Sequence, residues 1–245
     1  MKNFVVGCLW AISACASAQN VQLHYDMRHW ADPRHAAANF PTVYAEYFKE
    51  QDSGHAFIKP GSFLFKMEAD MMGEKNNTGK AYMQVAQTLR MWKPKVFLHL
   101  SYSGGLGVTE PKQYSYYIVN TFQLGAAYNF KWLGAYLSSV LDYKYVPYTK
   151  PTHDFIYTLY WWKGLYNYRV EFAGDFSVWT ESKNHGDDFT KTLSGKRFFF
   201  FAEPQLWYNL SKKFAAGTKV NMYYHVNTTE NVLQAYPTVA VKYKL

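Results

Sequence analysis

The chain has 245 residues, of which 49% are hydrophobic, 20% aromatic and 18% charged, and its formal net charge is +8. This length fits one domain. No stretch reaches the roughly 18 consecutive apolar residues that a membrane-spanning helix needs, which excludes a helical membrane protein. The positive charge is spread along the chain rather than collected in a basic arm, so no nucleic-acid polymer is expected as a partner.

The first 18 residues have the pattern of a signal peptide. Lys2 gives a positive start, residues 4–12 are a short apolar stretch, and Ala16-Ser17-Ala18 is a small-residue cleavage site. Cleavage there predicts export and one mature domain, residues 19–245. Because Cys8 and Cys15 are the only cysteines, that domain would have no disulfide and no thiol chemistry. A lipoprotein cut before Cys15, with lipid attached there, is the alternative.

Alternation of apolar and polar residues begins directly after this leader. Val21, Leu23, Tyr25 and Met27 alternate with Gln22, His24, Asp26 and Arg28, which is the period-two pattern of a half-buried strand. The pattern recurs in a third segment, residues 63–70, and in a ninth, residues 168–179. The other strands are predicted near residues 41–50, 80–91, 96–103, 116–130, 132–145, 155–162, 197–209, 214–226 and 235–245.

The connections between these segments alternate in length. On one side four of the five turns are short and carry lysine, with aromatic residues beside them, and the fifth is longer. The short turns are predicted at Lys93-Pro94-Lys95, Lys131, Lys163-Gly164 and Ser211-Lys212-Lys213, flanked by Trp92, Trp132, Trp162 and Tyr208; the longer one is Gln51 to Gly61. The opposite connections, residues 29–41, 73–79, 104–113, 146–154, 182–195 and 227–234, are long and polar.

Twelve alternating strands with this asymmetry of loop length predict an all-β fold, a twelve-stranded antiparallel transmembrane β-barrel of the bacterial outer membrane. Outer-membrane lipid, and the barrel-assembly machinery during biogenesis, are then the expected partners. A soluble antiparallel sandwich is the alternative, but it has no reason to show such asymmetry. The last residues, Tyr243-Lys244-Leu245, keep the alternation but lack the terminal Phe that is usual in such barrels.

Four segments resemble a known family. They are Gly61-Ser62-Phe63-Leu64-Phe65, Tyr160-Trp161-Trp162, Phe172-Ala173-Gly174-Asp175-Phe176 with Trp179, and residues 200–207. They resemble the Tsx-like nucleoside-specific outer-membrane channel superfamily and, more closely, a Bacteroides-type branch of it of unknown function. The resemblance implies a narrow, monomeric, twelve-stranded channel that passes nucleosides. These motifs build a barrel rather than bind a ligand, so no ligand-contacting residue is carried over.

The inward faces of the strands supply the candidate site residues. Charged and ionisable side chains there either line a transport path or form a salt-bridged wall that stiffens the barrel. Aromatic side chains there either pack the lumen or stack on the base of a nucleoside, for roughly 1 to 3 kcal/mol each. The charged candidates are His24, Asp26, Lys66, Glu68, Asp70, Arg90, Asp142, Arg169, Glu171, Asp175, Glu203 and Lys219, with His99 and His225 on the same faces. The aromatic candidates are Tyr82, Phe97, Tyr136, Trp179, Phe199, Phe201, Trp207 and Tyr223.

Two local features have structural interpretations. Pro204 lacks a backbone N–H and predicts a bulge or bend at Glu203–Gln205, which would direct Glu203 into the lumen or bend the wall for closure. Gly104-Gly105-Leu106-Gly107 follows a strand and opens no helix, so it is predicted to be a loop and not a phosphate-binding cradle.

These observations predict a channel for passive uptake of small polar solutes, with nucleosides as the implied class, and no catalytic residue, metal or cofactor. An outer-membrane barrel enzyme resembling a phospholipase is one alternative, for which Glu203-Pro204-Gln205-Leu206 gives a faint likeness. No serine stands beside a histidine and a third polar residue in the pattern that such an enzyme needs. A closed structural or receptor barrel without transport is the other alternative.

Overall fold

The computed structural model describes residues 20–50, 58–73, 75, 77–90, 95–108 and 114–245. The leader predicted at residues 1–18 lies outside these residues. The strands are β1 (Asn20–Asp26), β2 (Phe40–Glu50), β3 (Lys59–Asp70), β4 (Lys80–Arg90), β5 (Val96–Val108), β6 (Ser115–Trp132), β7 (Ala135–Val146), β8 (Thr152–Leu165), β9 (Val170–Ser182), β10 (Lys196–Ala202), β11 (Gln205–Asn209), β12 (Phe214–Tyr224) and β13 (Leu233–Lys244). A short helix, α1 (Arg28–Ala31), follows β1. Within the described part, no helix is long and apolar enough to cross a membrane.

The strands form a closed antiparallel barrel. Each strand pairs with its neighbour in the chain, and the ring closes where β1 pairs with β13. β10 and β11 both lie between β9 and β12, so they are two halves of one barrel strand. The thirteen strand segments therefore make twelve barrel strands, as the alternation predicts.

The predicted faces of the first strand are confirmed. Leu23 and Tyr25 point outward and are 51% and 43% exposed, whereas His24 and Asp26 point inward and are 1% and 2% exposed. β3 and β9 keep the same division, because Lys66 and Asp175 meet inside the barrel while Met67 and Phe172 are 45% and 39% exposed. The outer surface is thus apolar and the interior is polar, which is the arrangement of a barrel surrounded by lipid.

Both ends of the described chain lie at the end of the barrel that carries the shorter turns, which we call the lower end. Two turns predicted there are shifted along the chain. Lys131 lies within β6, and the turn is Leu133-Gly134, whose two positive φ values fit a tight hairpin. Lys163-Gly164 lies within β8, and the turn is formed by residues 166–169. The turn at Ser211-Lys212-Lys213 is confirmed.

Two further lower turns fall partly outside the described residues. Of the longer connection predicted at Gln51 to Gly61, residues 51–57 are not described, and Lys59 to Gly61 already belong to β3. Residues 91–94, which include Lys93 and Pro94 of another predicted turn, are likewise outside the described part.

Pro204 interrupts its strand without producing a bulge. Ala202 pairs with Phe176 and Gln205 pairs with Ala173, so three residues separate the pairs on each strand. The predicted extra residue is absent because the missing N–H of Pro204 removes ladder bonds but leaves the register intact. Gly174 lies opposite, with φ of 151°, and a Cβ there would be 2.7 Å from the Glu203 carbonyl oxygen and 2.9 Å from Pro204 Cα.

The glycine-rich segment predicted as a loop is part of a strand. Gly104 to Gly107 lie inside β5, where they pair with β4 and, across a local irregularity between Ser103 and Gly105, with β6. A Cβ on Gly105 would be 2.1 Å from the Ala81 carbonyl oxygen, and one on Gly107 would be 2.2 Å from the ring of Tyr116. These glycines therefore serve close strand packing and not a loop.

Candidate functional site

One lysine reaches across the barrel interior. Lys66 lies on β3, and Asp175 lies on β9, six strands away in either direction around the ring. The Nζ atom of Lys66 is nevertheless 3.4 Å from Asp175 Oδ1, and it is 2.7 Å from Glu203 Oε1 at the break between β10 and β11. These ion pairs join opposite walls of the barrel, so the lumen is crossed at this level.

The crossing continues into an alternating series of charges, which we call the transluminal chain. Lys219 Nζ on β12 is 3.3 Å from Glu203 Oε2 and 3.6 Å from Glu68 Oε2, which returns the series to β3. Lys219 is 2% exposed and also lies 5.0 Å from the ring centre of Tyr44. Alternation of sign lets buried charges satisfy one another, which burial requires. The members in order are Asp175, Lys66, Glu203, Lys219 and Glu68.

Aromatic side chains lie directly above this chain. Trp179 and Phe199 stack with ring centres 5.3 Å apart and an angle of 7° between their planes. Phe201 is 5.5 Å from Tyr223, which is 5.9 Å from Tyr236. Trp179, Phe199 and Tyr223 lie four positions toward the outer end from Asp175, Glu203 and Lys219, about 13 Å along the strand at 3.3 Å per residue. Phe201 lies two positions from Glu203, and Tyr236 is paired with Asn221, two positions from Lys219. We call these five residues the aromatic strip.

Smaller polar clusters occupy other levels of the interior. Near the lower end, Glu171 binds Lys242 at 3.2 Å and also pairs with Lys244 and Asn209. His99 Nδ1 lies 2.7 Å from Asp142 Oδ2. Near the outer end, Glu181 pairs with Lys144 and accepts a hydrogen bond from the indole N–H of Trp179 at 2.8 Å. The wall is thus stiffened by ion pairs over its whole height.

The outer mouth carries two more anchored groups. Arg28 on α1 binds Asp26 at 2.8 Å and lies over the rings of Phe40 and Tyr236. Burial lowers the pKa of Arg28, but the hydrogen bond to Asp26 and the charges of Asp26 and other nearby acidic groups together outweigh burial, so this pKa lies above its usual range. Burial and the nearby Glu181 carboxylate raise the pKa of Tyr148. Both groups keep their ordinary charge state at neutral pH.

Residues 18–245 match the family model described as "Domain of unknown function (DUF5020)". The chain belongs to the DUF5020 family. A search of curated proteins finds no match. Among solved structures, the barrel is similar to a NanC porin, with a TM-score of 0.53 and 10% identity over 93% of this chain and 100% of the porin. At this identity the similarity concerns the fold alone.

Two other solved structures are more distant from this DUF5020 protein. A KdgM porin has a TM-score of 0.46 and 8% identity, with 92% of this chain and 99% of that chain covered. LpxR from Salmonella typhimurium has a TM-score of 0.44 and 8% identity, with 92% and 100% covered.

Strand register places most of the predicted site residues on the inner wall. They include members of the transluminal chain and of the aromatic strip, and His24 and Trp207, which are 1% and 0% exposed. Asp70 accepts a hydrogen bond from Thr42 at 2.7 Å, and Arg90 lies 5.6 Å from the ring centre of Phe97. Those on inward register positions are His24, Asp26, Lys66, Glu68, Asp70, Tyr82, Arg90, Phe97, His99, Tyr136, Asp142, Glu171, Asp175, Trp179, Phe199, Phe201, Glu203, Trp207, Lys219 and Tyr223.

Three predicted positions differ in the DUF5020 barrel. Arg169 does not lie on a strand, because β9 begins one residue later and Arg169 sits exposed in the turn of residues 166–169. His225 follows the end of β12 with φ of 62° and hydrogen-bonds the carbonyl of Phe198 at 2.7 Å, so it is outside the lumen wall. Tyr136 shares the inward register of Asp142, but it is 51% exposed at the lower end.

Several interior charges were missed from the sequence. Lys144, Glu181 and Lys242 all lie inward and each forms a buried ion pair. Their signal was present, since Lys144 has the same parity as Asp142, and Glu181 has the same parity as Asp175. Lys242 has the parity of the inward Thr238. Lys144 and Lys242 lie within the strands predicted at residues 132–145 and 235–245, so alternation alone identifies them. Glu181 requires the ninth strand to be extended by a few residues, to Ser182.

Two arrangements of side chains bear on enzyme and metal chemistry. No serine hydroxyl in the described ranges hydrogen-bonds a histidine, and His24 is held instead by Thr238 at 2.9 Å and Gln22 at 2.8 Å. The same ranges contain no group of three or more His, Cys, Asp or Glu residues able to hold a metal ion.

Proposed function

We propose that this DUF5020 protein is an outer-membrane channel for small polar solutes, that nucleosides are its preferred class, and that the transluminal chain is its constriction. The observation that carries the proposal is the position of the aromatic strip directly above a chain of alternating charges inside a closed barrel. The apolar outer surface supports residence in a membrane, and the fold similarity to a NanC porin supports a channel architecture. An exported chain with a cleaved leader is part of the same proposal.

The aromatic strip and the transluminal chain suit the two halves of a nucleoside, its base and its ribose. A base is a flat ring system that stacks on aromatic faces with little regard to its identity. The ribose presents hydroxyl groups, which bind carboxylates and amino groups by hydrogen bonds. A solute whose base rests against Trp179 or Phe199 places its sugar toward Asp175 and Glu203. Asp175 lies four residues deeper than Trp179 on β9, and Glu203 lies four residues deeper than Phe199, just past the end of β10.

Conduction also requires the constriction to open. Lys66 is 12% exposed and Glu203 is 5% exposed, so the crossing ion pairs leave little room for a solute between them. Water-filled passage needs Lys66 to withdraw toward β3, with water replacing its contacts. Weak and repeated binding sites favour release, since a tight site would trap the solute. A polar gate that exchanges its ion pairs for hydrogen bonds to the solute is a weak binding site of this kind.

A closed structural or receptor barrel is the second candidate. It is favoured by the burial of inward side chains on every side of the ring, for example Thr88, Val140, Thr158 and Ala240, each less than a tenth exposed. In this case the transluminal chain is a permanent cross-brace and not a gate.

Liposome swelling separates these functions. Vesicles containing the purified mature protein are diluted into isotonic uridine, adenosine, glucose or sucrose, and protein-free vesicles are the control. We expect faster swelling in the two nucleosides than in glucose, although glucose is smaller. Swelling no faster than in protein-free vesicles, with the barrel folded, would instead support the closed barrel. Release of fatty acid from the vesicle lipid would indicate an enzyme.

A further inference from the structure

The β6 strand extends beyond its neighbour β7 at the outer end of the barrel. Pairing between them starts at Phe122 opposite Tyr145, whereas β6 starts at Ser115. On its other side β6 remains paired with β5 as far as Ser115 opposite Val108. Residues 115–121 therefore have one hydrogen-bonded edge and one edge with no backbone partner among the described residues. This β6 edge is roughly 23 Å long at about 3.3 Å per residue.

The described loop that follows β7 does not cover the β6 edge. Residues 147–151 follow β7, and Tyr148 stacks on His185 with ring centres 3.8 Å apart and planes 4° apart. The backbone N–H of Lys150 donates to the His185 carbonyl at 2.8 Å, and the Tyr148 hydroxyl donates to Glu181 at 3.4 Å. These contacts fix the loop against the connection after β9, on the side of β7 away from β6.

The composition of the β6 edge lacks the usual protection of a free strand. Its sequence, Ser-Tyr-Tyr-Ile-Val-Asn-Thr, has no charge and no proline, and it is rich in residues that favour strands. Natural sheets normally block exposed edges with lysine, proline or a covering loop. Tyr117 is 80% exposed, and Leu106, its partner on β5, is 57% exposed, so apolar surface lies beside the free backbone groups.

We propose that the β6 edge binds an extended, uncharged peptide segment of another protein by β-strand addition. Backbone hydrogen bonds would supply the affinity, and alternate side chains would supply the selectivity. Tyr117 pairs with the outward Leu106, whereas Ile118 pairs with Gly105 on the inner face. β6 has one extra residue between Ile118 and Thr121, which puts Asn120 on the outer face, where it accepts a hydrogen bond from Tyr102. The fitting segment therefore presents an apolar or aromatic residue beside Tyr117 and a polar residue beside Asn120 on the outer face, and an apolar residue beside Ile118 on the inner face.

Two other occupants fit less well. The first is the chain before Asn20: β1 begins at the lower end of the barrel, whereas the β6 edge lies at the outer end. A second copy in the same membrane is related by an axis along the membrane normal. Because barrel strands tilt by about 35–45°, two such edges would cross at about 70–90° instead of pairing.

The test uses a fluorescently labelled peptide with the sequence of residues 114–122, acetylated and amidated. A copy of this segment can pair antiparallel with the β6 edge, centred on Ile118, without bringing charges together. Binding to the full-length mature protein in detergent micelles is followed by fluorescence anisotropy. The control peptide has proline at the central position and cannot continue a strand ladder. We expect saturable binding of the first peptide and none of the second.

Matched protein variants locate the site. The double variant Ile118→Lys with Val119→Lys should weaken binding by about tenfold or more, because charged edge residues oppose strand addition. Ala81→Lys, at the same outer end of the barrel but on β4, which is paired at both edges, should bind within about twofold of the unmodified protein. Folding is checked by migration of unheated samples in gels. If the double variant fails to fold, amide hydrogen exchange of residues 115–121 in the unmodified protein should slow when the peptide is added.

Three results would overturn the proposal. They are no saturable binding up to about 1 mM peptide, equal binding by the folded double variant, and no change in amide exchange. Dimerisation of the unmodified protein that the double variant loses would assign the edge to a second copy and would also contradict it. Swelling in nucleosides does not depend on this edge, so the channel and the docking site fail independently.

Discussion

Lys66 and Glu203 form an ion pair of 2.7 Å between strands that lie five steps apart around the barrel by the shorter path. Neighbouring strands in a barrel satisfy each other's backbone groups, but only long side chains can connect distant walls. Since Lys66 also contacts Asp175, removing its charge changes both the stability of the interior and the width of the lumen.

The first prediction concerns stability. Lys66→Met leaves Asp175 without its cation, and breaking a buried ion pair from one side costs about 3–5 kcal/mol. We expect the free energy of unfolding to fall by an amount in that range, less where water enters the lumen. Adding Asp175→Asn should restore part of the loss, because the remaining Glu203 and Lys219 still pair. Urea unfolding monitored by tryptophan fluorescence measures both. Equal stability of all three proteins would contradict a buried chain.

The second prediction concerns the aromatic strip. Phe199 points inward and stacks on Trp179, whereas Phe198 points outward and lies 6.3 Å from Tyr224. Phe199→Ala should weaken uridine block of the single-channel current by roughly 5- to 150-fold, the equivalent of losing about 1–3 kcal/mol of stacking. Phe198→Ala removes the same ring from the neighbouring position and should leave the block unchanged. A similar loss in both variants would indicate a general effect on the barrel.

The third prediction concerns the contact opposite Pro204. At Gly174, φ is 151° and a Cβ would meet the Glu203 carbonyl oxygen at 2.7 Å and the Trp161 ring at 2.8 Å, so Gly174→Ala forces the two strands apart. We expect a fall of about 2 kcal/mol or more in unfolding free energy and altered conductance. Gly195→Ala is the matched control, because φ there is 78° but nothing lies within 4 Å of the added methyl group. A larger loss of unfolding free energy in Gly195→Ala than in Gly174→Ala would contradict close packing of Gly174 against Glu203 and Trp161.

The fourth prediction concerns pH. Hydrogen bonds to Asp32 and Glu230 raise the pKa of His35, and they connect the loop after β1 with the loop before β13. A raised pKa means that the charged contact is fully present below the ordinary histidine value of 6.5 and is lost as pH rises through the higher folded-state value. Spin labels on the two loops should therefore separate as pH rises. Glu230→Gln should shift that transition to lower pH, and a distance independent of pH would contradict the contact.

Much of the barrel follows from alternation alone, for a physical reason. A strand with lipid on one face and polar side chains on the other must alternate, so the positions of His24, Glu68 and Asp175 on the inner wall follow from their parity. Strand ends are less determined, because a basic residue fits equally well in a turn or near the end of a strand. For this reason Lys131 and Lys163 were predicted in turns but lie in strands, and Arg169 was predicted in a strand but lies in a turn.

The contacts across the lumen could not be predicted from alternation. Parity places Lys66 and Glu203 inside, but their meeting depends on strand stagger and side-chain length, which a linear pattern does not contain. The glycine-rich segment of β5 was misread for a related reason, because close strand packing and a flexible loop both require glycine. The extension of β6 beyond β7 also depends on register and not on composition.

The measurement that tests the account most directly is flux of radiolabelled uridine into proteoliposomes made with the unmodified protein and with Lys66→Met/Asp175→Asn. The control is Lys191→Met/Asp188→Asn, which removes the same pair of charges from an exposed loop where the side chains are 59% and 88% accessible. The account predicts uridine entry above protein-free vesicles for the unmodified protein, faster entry for the lumen variant, and no change for the loop variant. Entry at the protein-free rate for every folded variant would contradict it.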